Sequence, residues 1–496
     1  MTQFRGRSLL LLLVVLVLAL PFVFRVTPPN GGGAGLVTAG ALKGGPAGAG
    51  AADTLVVMTP NLEAVRRKFG KAFSQWYAQK YHRAVSIEYL SYGGGEIVKY
   101  FQASEVAYER TGTYNIDVVW GGSDSVFNDV LKGRYLQQAR LDPQVLASAF
   151  PRPDIGGVPL YDPDPSNGPR WFGAALSSFG ILYNRDVLAY LHLPEPKTWS
   201  DLADPRYRGW VELADPTRSA SAKTALMVIV EREMQTATQE HRSQDEAWAR
   251  GMGLIRQIAA NARGFTAAAN ELPGLVSSGD AAAAMSIDFY ARAQIEAVGG
   301  RRLGYVEPKG ATVVTPEPIA IARGAPHEEV ARRFIEFVLG ESGQRLWITK
   351  AGPGETPEMS LNRLPVMPAV YDDPVNFTEF SNPYRTAGGF NTKPGRRAAF
   401  GLMDELIALC CIDLLPELRA TRQQIIESPR AAQLDARLGM FPIDQAASQV
   451  GTDIHGRMLK GKPQDWLALQ RQWRRQFQQE YGELRRAAAE PPGAAR

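Results

Sequence analysis

Cysteine and histidine are the scarcest chemistry-bearing residues in this 496-residue chain: two cysteines, Cys410 and Cys411, and five scattered histidines. Adjacent cysteines on one predicted helix, LIALCCIDLL, do not readily bridge each other, because a vicinal disulfide strains the backbone. They read as small apolar core residues. No Cys/His spacing suited to zinc occurs, and no His falls in a strand-end turn. No nucleophile–base pairing stands out, so the sequence offers no catalytic residues and calls for no cofactor. A net charge of +4, with no Lys/Arg block in the central region, argues against nucleic acid as a partner.

What is present begins with an address. Arg5 and Arg7 precede an apolar run over residues 9–24, broken only by Pro21. Residues 1–26 are therefore expected to be a signal peptide or membrane anchor, with an uncleaved anchor favoured because Phe22, Val23, Phe24 and Arg25 stand where small residues would mark cleavage. With no cysteine nearby, a lipid-modified anchor is not expected. The basic side would stay cytoplasmic and the rest would lie outside, tethered to the inner membrane by residues 9–24. Residues 27–52 are rich in Gly, Ala and Pro, which predicts a flexible linker.

From residue 53 the pattern of strand, glycine-rich turn and helix repeats three times: TLVVM before TPN, the alternating run over 85–89 before SYGGGE, and IDVVW before GGSDS. That is the signature of a parallel α/β sheet. The strand over 171–176 leads into SSFGILYN, residues 177–184, which is read as an outward crossing into a second lobe. The chain returns through VEPKGATVVTPEPIAIARGAPHEEVARRFIEFVL, residues 306–339. There, Pro308, Gly310, Pro316 and Pro318 forbid helix before a helix begins near Glu328. Residues 53–170 and 310–395 are expected to form lobe one, 171–309 lobe two, and 396–496 a C-terminal helical extension. In its last segment Trp466, Leu469, Trp473, Phe477, Tyr481 and Leu484 step at helical spacing beside a basic outer face.

Ligands of open parallel sheets bind beyond the carboxyl ends of strands. Asn61, Ser91 with Gly93 and Gly94, Gly122 with Ser123, Ser177 with Ser178, and Thr217, Ser219 and Ser221 are all read as following strands and preceding helices. Glycine allows close backbone approach, hydroxyls donate or accept, and a helix N-terminus favours negative charge. Arg218 suits a carboxylate or phosphate. Asp288 suits a hydroxyl, ammonium or cation, and Tyr290 and Trp120 offer stacking surface.

GGGEIVKYF (93–101), VVWGGSDSVF (118–127), WFGAALSSFGILYNRDVL (171–188), PKTWSDLADPRYRGWVELADPTRSASA (196–222), IDFYAR (287–292) and the run from 314 to 347 stand in order. Together they resemble the extracellular solute-binding proteins of ABC transporters, in the ferric-ion-binding-like branch. The resemblance covers about residues 55–364. It implies an α/β, two-lobed type II periplasmic-binding fold with two hinge crossings, a small-molecule solute and an ABC permease as partners, and no enzymatic activity. Ferric-binding relatives take their metal on neighbouring tyrosines, where this chain has Phe289 and Tyr290. An Asp at the position of Asp288 resembles receptors for organic or phosphorylated solutes. The serine-rich turn carries Ala220 where the family has glycine. The expected cargo is thus a small anionic or polar organic solute. The alternative is ferric or another metal ion, held by Tyr290 and Asp288.

Overall fold

The computed structural model describes residues 52–164, 168–351, 360–372, 382–386, 397–441 and 463–490. The expected anchor and nearly all of the linker lie outside the described residues, as does most of 352–395. Among the described residues no helix is long and apolar enough to cross a membrane.

Ten strands form two five-stranded sheets. The first contains β1 (Asp53–Thr59), β2 (Val85–Ser91), β3 (Val118–Trp120), β4 (Phe172–Ser177) and β10 (Thr315–Ile321), in the order β2-β1-β3-β10-β4. The second contains β5 (Phe179–Asn184), β6 (Val211–Ala214), β7 (Ala262–Thr266), β8 (Ala283–Ile287) and β9 (Leu303–Val306), in the order β9-β5-β8-β6-β7. β1, β2 and β3 pair in parallel, as do β6, β7 and β8, while β10 and β5 run against their neighbours. Every residue of β4 and β5 is buried, as expected of strands covered on both faces. Pro316 and Pro318, which cannot donate to a ladder, are accommodated in β10 by a register shift between Glu317 and Pro318.

The two sheets are joined by two crossings, one at Ser178 between β4 and β5 and one over residues 307–314 between β9 and β10. This is the mixed α/β arrangement expected of a type II periplasmic-binding fold. The strand that the expected boundary at residue 171 assigns to lobe two, however, pairs with β10 in the first sheet, and the chain leaves that sheet at Ser178, within the run 177–184 read as the crossing.

The first sheet is covered by α1 (Glu63–Tyr81), which buries Val65, Phe69, Phe73 and Tyr77, and by the helix Glu328–Leu339. Phe69 meets Trp120 edge-on at 5.1 Å and Phe73 meets Phe334 at 5.0 Å. Trp120, 1% exposed, is thus a core residue and offers no stacking surface.

The second sheet carries α3 (Ala220–Gln239), α4 (Gln244–Ala260) and α5 (Asp288–Val298), α2 (Gly94–Ala103) belonging to the first. Its core also takes in the C-terminal helices α6 (Arg397–Ile407), α7 (Leu415–Glu427), α8 (Ala431–Leu438) and α9 (Pro463–Ala489). Cys410 and Cys411 are buried there, and Tyr481 donates its hydroxyl to the Cys410 carbonyl at 2.8 Å. Arg256 of α4 is fully buried, donating to the carbonyls of Leu438 and Met440 and pairing with Glu480 at 2.7 Å. A Cβ on Gly253 would overlap the Gly439 carbonyl, so only glycine lets α4 approach the end of α8.

Candidate solute-binding cleft

β1 to β4 all end on one edge of the first sheet, at Thr59, Ser91, Trp120 and Ser177. The outward crossing leaves from that edge, and Phe179 at its far side pairs with Ile287, the last residue of β8. The carboxyl ends of β6, β7 and β8 therefore face the same crossing, and the two edges meet across it.

On the first edge, Asn61 is 4% exposed and donates its side-chain amide to the Trp120 carbonyl at 3.3 Å, while its N–H donates to Thr59 Oγ1. It ties β1 to β3. Gly121 and Gly122 both have positive φ, 96° and 105°, and a Cβ on Gly121 would lie 3.0 Å from the Asn61 amide. Ser123 caps the turn that follows, accepting from the Val126 N–H at 3.4 Å. Ser91 is exposed. Gly93 precedes α2 and donates its N–H to Glu96 at 2.8 Å, with Gly94 as the first helical residue. The N-terminus of α2 thus already holds a carboxylate.

On the second edge, Asp215 Oδ1 accepts from both the N–H and the hydroxyl of Thr217, at 2.8 and 2.6 Å. Ser219 caps α3 by accepting from the Ala222 N–H, and Ser221 is half-buried in the first turn. Arg218 is exposed between them. Unlike α2, α3 carries no acidic residue in its first turn, and its dipole favours an incoming anion, although Ser219 already caps the Ala222 N–H and the Asp215 carboxylate holds Thr217.

Ser177 and Ser178 are followed by a strand and not by a helix, contrary to the sequence reading, and both hydroxyls are engaged. Ser177 donates to Glu317 and Ser178 to Glu307, each at 2.7 Å, which pins the outward crossing to the returning chain. Thr312 adds to this pinning, donating to the Phe179 carbonyl at 2.6 Å and accepting from its N–H.

Asp288 begins α5 with its carboxylate fully buried and neither oxygen hydrogen-bonded. Burial pushes its pKa up to about 7, opposed by Arg292 and reinforced by Glu307. Arg292 and Glu307 face one another at 3.3 Å. Burial likewise raises Tyr290 above the ordinary phenol range. Phe289, 7% exposed, lies under the guanidinium of Arg363 at 3.9 Å. Arg363 belongs to the first lobe and pairs with Glu317, and burial lowers its pKa to about 10. Glu317 and Arg363 escaped the sequence reading. Glu317 sits between two prolines in an apolar strand and Arg363 follows a segment without periodicity, so nothing local marks either.

With this geometry in place, the comparisons with known proteins are informative. The profile of the bacterial extracellular solute-binding protein family matches residues 115–378, more than half of the chain. The chain belongs to this family. That family is one of extracellular substrate-binding proteins.

Among curated relatives, the phosphoglycerate transport regulatory protein PgtC of Salmonella typhimurium is 30% identical over 189 residues, 38% of this chain and 43% of that protein. The iron uptake protein A1 of Synechocystis is 26% identical over 197 residues, 38% and 49% of the respective lengths. The solute-binding protein described here thus spans less than half the length of these relatives. Among solved structures, the periplasmic binding protein AfuA of Actinobacillus pleuropneumoniae, with fructose-6-phosphate bound, is 18% identical with a TM-score of 0.49. That similarity covers 73% of this chain and all of the other. The ferric ion-binding protein A of Pasteurella haemolytica gives 17% and 0.47, covering 71% and 98%. The family profile ends at residue 378, so helices α6 to α9 lie beyond it.

Proposed function

We propose that the chain is an extracytoplasmic receptor that closes two lobes on a small anionic solute and delivers it to an ABC permease. The observation that carries the anionic reading is the N-terminus of α3. There, the first turn of α3 holds no acidic residue, its dipole favours negative charge, and Ser221 and the exposed Arg218 stand beside it. The metal reading is disfavoured by a cation, Arg363, stacked on the ring that stands where a second tyrosine would be needed. The names of the curated relatives support both cargo classes, phosphoglycerate in one and iron in the other, so the choice rests on this geometry.

Native mass spectrometry of freshly purified protein, followed by thermal-shift titration with 3-phosphoglycerate and with inorganic phosphate, tests the assignment. A stabilisation that Arg218→Ala shifts to about tenfold higher ligand concentration is expected. A tyrosinate-to-iron charge-transfer band that disappears in Tyr290→Phe would overturn the anionic reading in favour of the metal.

A further inference from the structure

Besides the two covalent crossings, a non-covalent bridge joins the lobes. Residues 360–363 belong to the first lobe. Leu361 and Leu364 sit in its core, Leu364 accepts from the Leu176 N–H at 2.7 Å, and Arg363 donates its N–H to the Trp347 carbonyl. Their polar side chains nevertheless reach the second lobe. Ser360 and Asn362 both donate to the carboxylate of Glu296 on α5, each at 2.6 Å, although Ser360 and Asn362 are themselves only 5% and 4% exposed. Two turns earlier on α5, the Arg363 guanidinium covers Phe289.

Positions 289, 292 and 296 share one face of that helix, and the middle one, Arg292, pairs with Glu307 of the return crossing. The segment is built for this reach. Ser360 is itself held by the Ala351 N–H at 2.8 Å, and Asn362 adopts a left-handed backbone, φ 56°, which Asn tolerates better than most residues.

We propose that residues 360–363 form a clasp that grips α5 and holds the lobes together independently of the solute. Part of the closing free energy then comes from the protein itself, and solute affinity reflects the clasp as well as direct contacts. A hinge rotation that parted the lobes would break the two bonds to Glu296, both of them charge-assisted, and would uncover the Arg363–Phe289 stack. The inference rests on the two-lobed receptor reading but concerns its resting equilibrium, so its test needs no solute.

Both native cysteines are buried, so spin labels can be placed selectively on Val106→Cys in the first lobe and Tyr190→Cys in the second, positions 67% and 74% exposed. Pulsed-EPR distances are then measured on the full chain. The labelled parent is expected to show one narrow distance distribution, and Glu296→Ala a shift to longer distances. Asn362→Gly, which retains the left-handed backbone while deleting the amide, should show the same shift and serves as the readout if Glu296→Ala does not fold. A parent that is already broad, or variants that keep the parent's distribution, would overturn the clasp. Neither result bears on whether a solute binds, which the titrations above decide separately.

Discussion

The two lobes present the same arrangement of strands, with different means of support. The first lobe closes its core with its own helices, aromatic against aromatic, as in the meeting of Phe69, Trp120 and Trp347. The second lobe shares its core with helices that follow the return of the chain through the first lobe, by way of the buried guanidiniums of Arg256 and Arg422. The two lobes also differ at their cleft edges: the helix N-terminus of the first is occupied by Glu96, while that of the second has no acidic residue in its first turn. One lobe therefore serves as a self-sufficient frame, and the other, on the proposed reading, as the side that meets the anion.

The largest expected effect breaks the structural half of this comparison. Replacing Arg256 with Ala strands Glu480 and the carbonyls of Leu438 and Met440 in an apolar interior, at a cost of about 3–5 kcal/mol. Urea unfolding of this variant is expected to lose the second lobe's transition first, leaving the first lobe's in place. A single unchanged transition would show that the C-terminal helices are appended to the lobe and not integral to it.

How far the sequence disclosed this division depends on the distance over which each interaction acts. The parallel strands, the glycine turns and both crossings could be read because each is a local pattern of apolar runs and breakers. The C-terminal helices were also visible as helices. Their place was not, since Arg256 meets Leu438 and Glu480 across 182 and 224 residues. The same holds for the hinge pairs, where Ser177 and Ser178 find carboxylates 140 and 129 residues away. An isolated Ser before an apolar run looks the same whether it caps a helix, binds a ligand or pins a crossing.

A second prediction sharpens the contrast through pH. Asp288 in the second lobe keeps its proton to about pH 7 in the folded chain, whereas in the unfolded chain it ionises near the ordinary value of 3.8. Between those values the folded state binds more protons, so its stability falls as pH rises from about 4 to about 7 and levels off above. Asp288→Asn should flatten that slope, raising stability at neutral pH by on the order of 2–4 kcal/mol, as read from melting curves across the window. An unchanged slope would locate the pH dependence elsewhere.

The third prediction concerns the anion edge directly. Arg218→Ala is expected to weaken 3-phosphoglycerate binding by about tenfold, the loss of one charge-assisted contact, without altering the melting temperature of the unliganded protein, because Arg218 is exposed. A loss of stability together with affinity would make Arg218 a structural residue.

The smallest effect is the most discriminating, because it asks whether the edges differ for the reason given. Glu96 neutralises the positive end of α2 by accepting from the Gly93 N–H, so Glu96→Gln should keep the cap's shape while removing its charge. If the first lobe's edge is unsuited to anions only because it carries this carboxylate, the substitution should tighten phosphate-bearing ligands by roughly threefold or less, an exposed and screened interaction. Isothermal titration against the parent resolves that difference. If the anion sits wholly against α3, Glu96→Gln should leave affinity unchanged in both the parent and Arg218→Ala backgrounds, whereas a gain that persists beside Arg218→Ala assigns the phosphate to the α2 side of the cleft.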